Sequence, residues 1–273
     1  GQRKSFPEHH NTLGLRMLHS MNETKLNYKQ KITLGVHYIK DKLGLPVNYR
    51  DFEFSAFKQS VDWSSLPHDR VSVLNMIFGI SSDLVQNYID EAEQIEIEEK
   101  NELSPDAFMG VGNPMGRTDR ITLYGAIRAS KPNVVVETGT AAGASATYIL
   151  EALKKNGQGC LYSVDVEHKE RLSGRLIPDY LRSQVHIRTG DSLSIFPELL
   201  KEVVSIDFFL HDSLHTYVHM MAEYEMVYPH MKQGGIICSH DVLLTNAWKH
   251  FTRRYHLHTW GMVKNLGICL VEK

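Results

Sequence analysis

Two short stretches set a histidine directly beside an aspartate. Phe208-Phe-Leu-His211-Asp212-Ser-Leu-His215 closes one apolar run, and Cys238-Ser-His240-Asp241 closes another. Imidazole and carboxylate groups ligate divalent metals, and an imidazole titrating near neutrality also serves as a general base. His215 lies one helical turn beyond the first pair, where it can act as ligand, base or orienting partner. His211, His215 and His240 are therefore the candidate catalytic residues. Plainer alternatives exist for some of them: His211 as a hydrogen-bonded core histidine, and Asp241 as the N-cap of a helix from Leu244 onward.

A second constellation begins at Val134-Val-Val-Glu137-Thr-Gly139-Thr140-Ala-Ala-Gly143-Ala-Ser145. A β-branched run, a glycine-bearing turn and a helix-forming run read as a buried strand feeding a loop at a helix N-terminus. Backbone N–H groups in such a loop can approach a ligand closely. The spacing E-x-G-x-x-x-G departs from the G-x-G-x-x-G of dinucleotide enzymes. Two further apolar runs end in acids, Ser-Val-Asp165 and Thr-Gly-Asp191-Ser192. A carboxylate at the first position can accept both hydroxyls of a ribose. A polar side chain and backbone N–H groups at the second can hold the edge of a base. Either acid taken alone also reads as a surface or capping residue.

These side chains need a scaffold that brings several strand ends together. From residue 117 the chain alternates. Helices are expected over 118–129, 145–155, 169–181, 194–203 and 217–231, and strands over 133–137, 160–166, 185–189, 206–210 and 235–239. Strands this apolar, separated by helices, predict a parallel sheet covered on both faces. Two last strand-like runs, 256–262 and 266–271, predict a closing hairpin. Before residue 115 the texture is helical and irregular. Periodic stretches run from Lys25 to Leu43 and from Asp69 to Ile95, with Ser82 or a neighbour capping the later part of the second. Glu91–Glu102 is acidic. The glycine-rich link Phe108–Gly116 is either an interdomain loop or a flap over a ligand.

Composition narrows the partners. The net charge of −2 gives no electrostatic footprint for nucleic acid or an anionic membrane. No apolar run approaches the roughly 20 residues of a membrane span, and no signal-peptide pattern opens the chain. Cys160, Cys238 and Cys269 lack C-x-x-C partners and sit in or beside apolar runs, as reduced, buried thiols do. A cytoplasmic location is expected, with no nucleic-acid or membrane partner. A homo-oligomer is left open.

The glycine loop, the acids Asp165 and Asp191, the run order and the closing hairpin together resemble class I S-adenosylmethionine-dependent methyltransferases over residues 117–273. The resemblance implies an α/β fold with a Rossmann-like seven-stranded sheet and a terminal antiparallel hairpin. Residues 116–273 would form the S-adenosylmethionine-binding core, and residues 1–115 a helical lid that sets substrate specificity. It further implies cofactor binding by Glu137, Gly139, Thr140, Gly143, Ser145, Asp165, Asp191, Ser192 and His211. In the catechol-type, cephalosporin-hydroxylase-like and macrolide-sugar O-methyltransferases, the ends of the fourth and fifth strands carry metal-binding acids. By that resemblance His211 or Asp212, with His240 and Asp241, would be the metal ligands here. Histidine in place of oxygen ligands favours iron, manganese, nickel or zinc over magnesium.

The implied reaction is metal-assisted methylation of a hydroxyl on a small molecule or natural product. Carbon methylation of a carrier-bound β-dicarbonyl acyl group stays open. So do a metal-dependent oxidation on the same fold, a metal-free site with His215 or His240 as base, and a non-catalytic binding module.

Overall fold

The computed structural model describes residues 69–97, 115–166 and 173–272, all within one unit spanning Gln59–Lys273. The expected helix at 25–43, most of the proposed lid and most of the glycine-rich link lie outside the described residues.

The apolar runs read as strands for a simple reason: neighbouring residues face opposite layers, and both layers are covered. Val135, Phe208 and Ile236 belong to one buried cluster, while Val136, Phe209 and Ile237 belong to the other. The strands are β1 (Val134–Thr138), β2 (Cys160–Asp165), β3 (Val185–Thr189), β4 (Ile206–His211), β5 (Met231–Ser239), β6 (Trp260–Val263) and β7 (Leu266–Leu270). They form one sheet in the order β3-β2-β1-β4-β5-β7-β6. The first five are parallel, and β7 joins β5 and β6 antiparallel, so the closing hairpin is present. The chain leaves β1 toward β3 and then returns to β4 on the other side of β1. The cleft between β1 and β4 is therefore the switch point where such sheets bind ligands.

Seven α-helices are described: α1 (Arg70–Phe78), α2 (Ser82–Glu93), α3 (Arg117–Ser130), α4 (Ala144–Asn156), α5 (Ser192–Val203), α6 (Tyr217–Val227) and α7 (Ala247–Arg254). The periodic stretch 69–95 is two helices. Asp69 caps the first through the Ser72 N–H, and Ser81, the neighbour of Ser82, caps the second through the Leu84 N–H. Both helices join the sheet's core: α1 packs on β6 and α2 on α3. The contact is close, because a Cβ on Gly125 of α3 would meet Leu74 Cδ1 at 2.8 Å. Among the described residues no helix is long and apolar enough to cross a membrane.

Three expected elements differ. The described part of the 169–181 helix is a turn followed by a 3-10 helix, Asp179–Gln184. The reason is competition for backbone groups: Gly174 N–H donates to Ala141 O and Leu176 N–H to Ala142 O, so this segment braces the glycine loop. Helix α6 stops at Val227 and passes into a 3-10 turn, Tyr228–His230, because Pro229 supplies no N–H. Strand β6 starts only at Trp260, since the N–H groups of His256 and Leu257 are spent closing α7 on Arg253 and Thr252.

Candidate active site at the strand ends

The glycine loop follows β1. Gly139 donates its N–H to Val164 O at 2.8 Å, and its φ is +87°. A Cβ there would sit 2.0 Å from the carbonyl oxygen of Asp212. Only glycine allows the β1 and β4 ends to approach so closely. Ala141 follows at φ +43° and donates its N–H to Asp165 Oδ2 at 2.7 Å. Asp165 also accepts from Ser173 Oγ at 3.2 Å, so the end of β2 is tied to the loop. A left-handed alanine is strained, and strain of this kind collects at ligand sites.

Above these strand ends lies a cavity of about 330 Å³, lined among others by Gly139, Ala141, Asp165, Asp191, Ser192 and Asp212. The structure thus brings Gly139, Asp165, Asp191 and Ser192 to one wall. Asp191 is also the N-cap of α5, accepting from Ser194 N–H and Oγ at 3.0 and 2.9 Å. The remaining loop residues lie beneath that wall. Glu137 is fully buried and accepts from Ser145 Oγ at 2.5 Å and Ser163 Oγ at 2.6 Å. Thr140 Oγ1 pairs with the same Ser163 hydroxyl at 2.5 Å. Gly143 makes room for Ile177 and Gly174, which a Cβ would meet at 2.8 and 2.9 Å. Burial pushes the Glu137 carboxyl up to about 7, despite both serine hydroxyls and with the charges of Asp212 and Asp165 adding to the rise.

The parity of β4 decides where the histidines go. Residues two apart share a face, so His211 points with Phe209 toward α6. There it is fully buried, and its Nδ1 lies 2.6 Å from Glu223 Oε2. His211 does not line the cavity. Glu223, itself fully buried, also accepts from Thr138 Oγ1 (2.7 Å), Ser213 Oγ (2.7 Å), His219 Nε2 (2.9 Å) and Ser192 Oγ. Burial opposes its ionisation, but the charge and hydrogen bonds of His211 and His219 outweigh that and hold it well below the usual carboxylate range. Ser192, Ser213 and His219 line the cavity, so Glu223 fixes that wall from below.

The ladder continues past the strands: Asp212 N–H donates to Thr138 O, and His240 N–H donates to His211 O. This sets Asp212 and His240 side by side. His240 Nδ1 lies 2.9 Å from Asp212 Oδ1, and His215 Nε2 lies 3.4 Å from the same oxygen. Asp241 Oδ2 stands farther off, 3.8 Å from His240 Nδ1 and 3.9 Å from His215 Nδ1. One ligand atom each from Asp212, His215 and His240 falls within a common 4.8 Å. The trio therefore contains His215, and His211 is engaged elsewhere. On its other side, His240 Nε2 is 3.5 Å from Asp119 Oδ2 of α3. Burial lowers the affinity of His240 for a proton, but hydrogen bonds to Asp119 and Asp212 outweigh it and push its pKa up to about 10. Burial would raise Asp212, yet His215 and His240 hold it below its ordinary value.

Two important acids, Glu223 and Asp119, escape the motif reading. Glu223 lies within the helical run after the fourth strand, where an acid reads as part of an ordinary amphipathic helix. Its spacing from Met220 and Val227, which marks the buried face of α6, was the available signal. Asp119 looks like any acid in a first helical turn.

Comparison with known proteins bears on the domain and its fold. The methyltransferase domain family matches residues 136–242. A catechol O-methyltransferase of Niastella koreensis is 37% identical over 68 residues, covering 25% of this chain and 31% of that protein. The chain thus spans about a third of the length of this curated relative. Among solved structures, a methyltransferase of Geobacter sulfurreducens superposes with a TM-score of 0.50 at 17% identity, over 71% of this chain and 98% of the other. A caffeoyl-CoA O-methyltransferase candidate from Staphylococcus aureus gives 0.51 at 15% identity, over 68% and 98%. At such identities the likeness establishes the fold. The chain carries a class I S-adenosylmethionine-dependent methyltransferase domain.

Proposed function

We propose that this protein transfers the methyl group of S-adenosylmethionine to a hydroxyl of a small-molecule or carrier-bound acceptor, aided by a divalent metal at Asp212, His215 and His240. The observation that carries the reading is the position of Asp212. It lines the cofactor cavity and is also the shared partner of both imidazoles in the trio. A methyl donor in the cavity and an acceptor at the trio would be neighbours, as in-line transfer at near-attack distance requires.

The residues fit both groups. Gly139 leaves the cradle that a Cβ would fill, and Asp165, on the same cavity wall, would accept the hydroxyls of a ribose. Two imidazoles and a carboxylate form a donor set suited to iron, manganese, nickel or zinc rather than magnesium. When bound, such an ion would lower the pKa of an acceptor hydroxyl. Asp212 and His215 orient that site, and Asp241 stands in reach as a further carboxylate. Glu223 keeps Ser192, Ser213 and His219 in place on the cavity wall.

The test is transfer from methyl-labelled S-adenosylmethionine to a panel of hydroxyl compounds bearing a second oxygen donor. It is run with manganese, nickel, zinc or ferrous iron and with a chelator. Transfer that needs metal and disappears in Asp212→Ala supports the proposal. Transfer indifferent to chelator and to Asp212→Ala would replace it with a metal-free mechanism.

A further inference from the structure

Asp119 has no assigned task, yet it is 4% exposed and faces His240 from the opposite side to Asp212. Its position in the first turn of α3 would ordinarily make it a dipole-complementing or capping acid. It does not cap: Gly116 is the N-cap, and no side-chain cap hydrogen bond is made there. Its Oδ1 is buried with no hydrogen-bond partner among the described residues. A buried carboxylate oxygen left unpaired is costly, so its retention calls for a reason.

The reason lies in the ring between the two acids. His240 meets Asp212 through Nδ1 at 2.9 Å and Asp119 through Nε2 at 3.5 Å. Asp119 is absent from the group whose ligand atoms converge within 4.8 Å, so it stands behind the imidazole rather than beside the ion's place. An imidazole that ligates through Nδ1 must keep its proton on Nε2, and a carboxylate behind the ring fixes both the proton and the ring plane.

We infer that Asp119 is the positioning residue for His240: it accepts the Nε2–H and turns Nδ1 toward the space shared with Asp212 and His215. The inference rests on the proposed metal reading. It makes α3, an element that precedes the whole sheet in the chain, part of the metal site.

The experiment titrates the full chain with Co²⁺, read by visible absorption, and with S-adenosylhomocysteine, read by calorimetry. Wild type, Asp119→Ala, Asp119→Asn and Asp212→Ala are compared. Asp119→Ala should bind Co²⁺ about 10–100-fold more weakly, with an altered band shape. Its S-adenosylhomocysteine affinity and melting temperature should stay near wild type. Asp119→Asn, whose amide oxygen can still accept the Nε2–H, should recover much of the affinity. Equal Co²⁺ binding by Asp119→Ala and wild type, with Asp212→Ala deficient, overturns the inference and leaves the metal reading standing. No Co²⁺ binding by wild type overturns both. If Asp119→Ala does not fold, Asp119→Asn decides. An asparagine variant that folds and binds S-adenosylhomocysteine but has lost Co²⁺ as fully as Asp212→Ala would contradict positioning through an accepting oxygen.

Discussion

Replacing Gly139 by alanine should do far more damage than its one methyl group suggests. The backbone there has φ +87°, a region that costs an alanine about 1–2 kcal/mol. The new Cβ would lie 2.0 Å from Asp212 O, whereas ordinary contact begins at 3.4 Å. The obstacle is backbone, so the ends of β1 and β4 must part by more than about 1 Å. Overpacking of this kind adds about 1–3 kcal/mol. Gly157 is an internal control. It too is left-handed, at φ +71°, but nothing lies within 4 Å of a Cβ built on it. Gly157→Ala should therefore cost only the conformational part, while Gly139→Ala should cost about 2–5 kcal/mol in urea denaturation. The parted strand ends move Asp212 beyond the tolerance of about 0.5 Å that a functional site permits. S-adenosylhomocysteine affinity should fall at least about tenfold in Gly139→Ala, equivalent to about 1.4 kcal/mol, and stay unchanged in Gly157→Ala. Equal destabilisation and equal affinity in the two variants would refute the argument from close approach.

Other expectations follow from buried groups. The Glu137 carboxyl titrates near 7 in the fold and near 4.5 when unfolded, chiefly because of burial. Between those values the folded state holds a proton that the unfolded chain has lost, so stability falls as pH rises through the window, by about 3 kcal/mol. Denaturation curves from pH 4.5 to 6.5, below the range in which His240 contributes, should show this slope in wild type and not in Glu137→Gln; a slope of the same size in both would contradict it. Glu223→Ala strands the donors of Thr138, Ser213, His211 and His219 and should cost about 3–5 kcal/mol. A near-wild-type melting profile for that variant would mean that the buried network contributes little.

The strands were legible because a doubly covered sheet demands apolar residues at consecutive positions, as in Val134-Val-Val and Phe208-Phe-Leu. The loop and its acids were legible because they follow those runs directly. What the sequence concealed depends on orientation. His211 and His215 look equivalent in the chain, but strand parity sends His211 into the α6 face and leaves His215 beside Asp212 and His240. The segment from Ser173 to Pro178 sits between apolar runs in a stretch that reads as a helix, yet Gly174 and Pro178 disfavour one and the N–H groups of Gly174 and Leu176 pair with Ala141 and Ala142. Asp119 meets His240 only across the fold, and no local pattern marks such a contact.

The most direct test of the account is calorimetric titration of S-adenosylhomocysteine into wild type and Asp165→Ala. Asp165 is tied to the Ala141 N–H and lines the cavity, so its loss removes both a loop anchor and the proposed acceptor for the ribose hydroxyls. The account predicts saturable one-to-one binding to wild type, weakened at least about tenfold in the variant. Absence of binding to wild type, or equal affinity in the two proteins, would contradict the placement of the methyl donor at these strand ends.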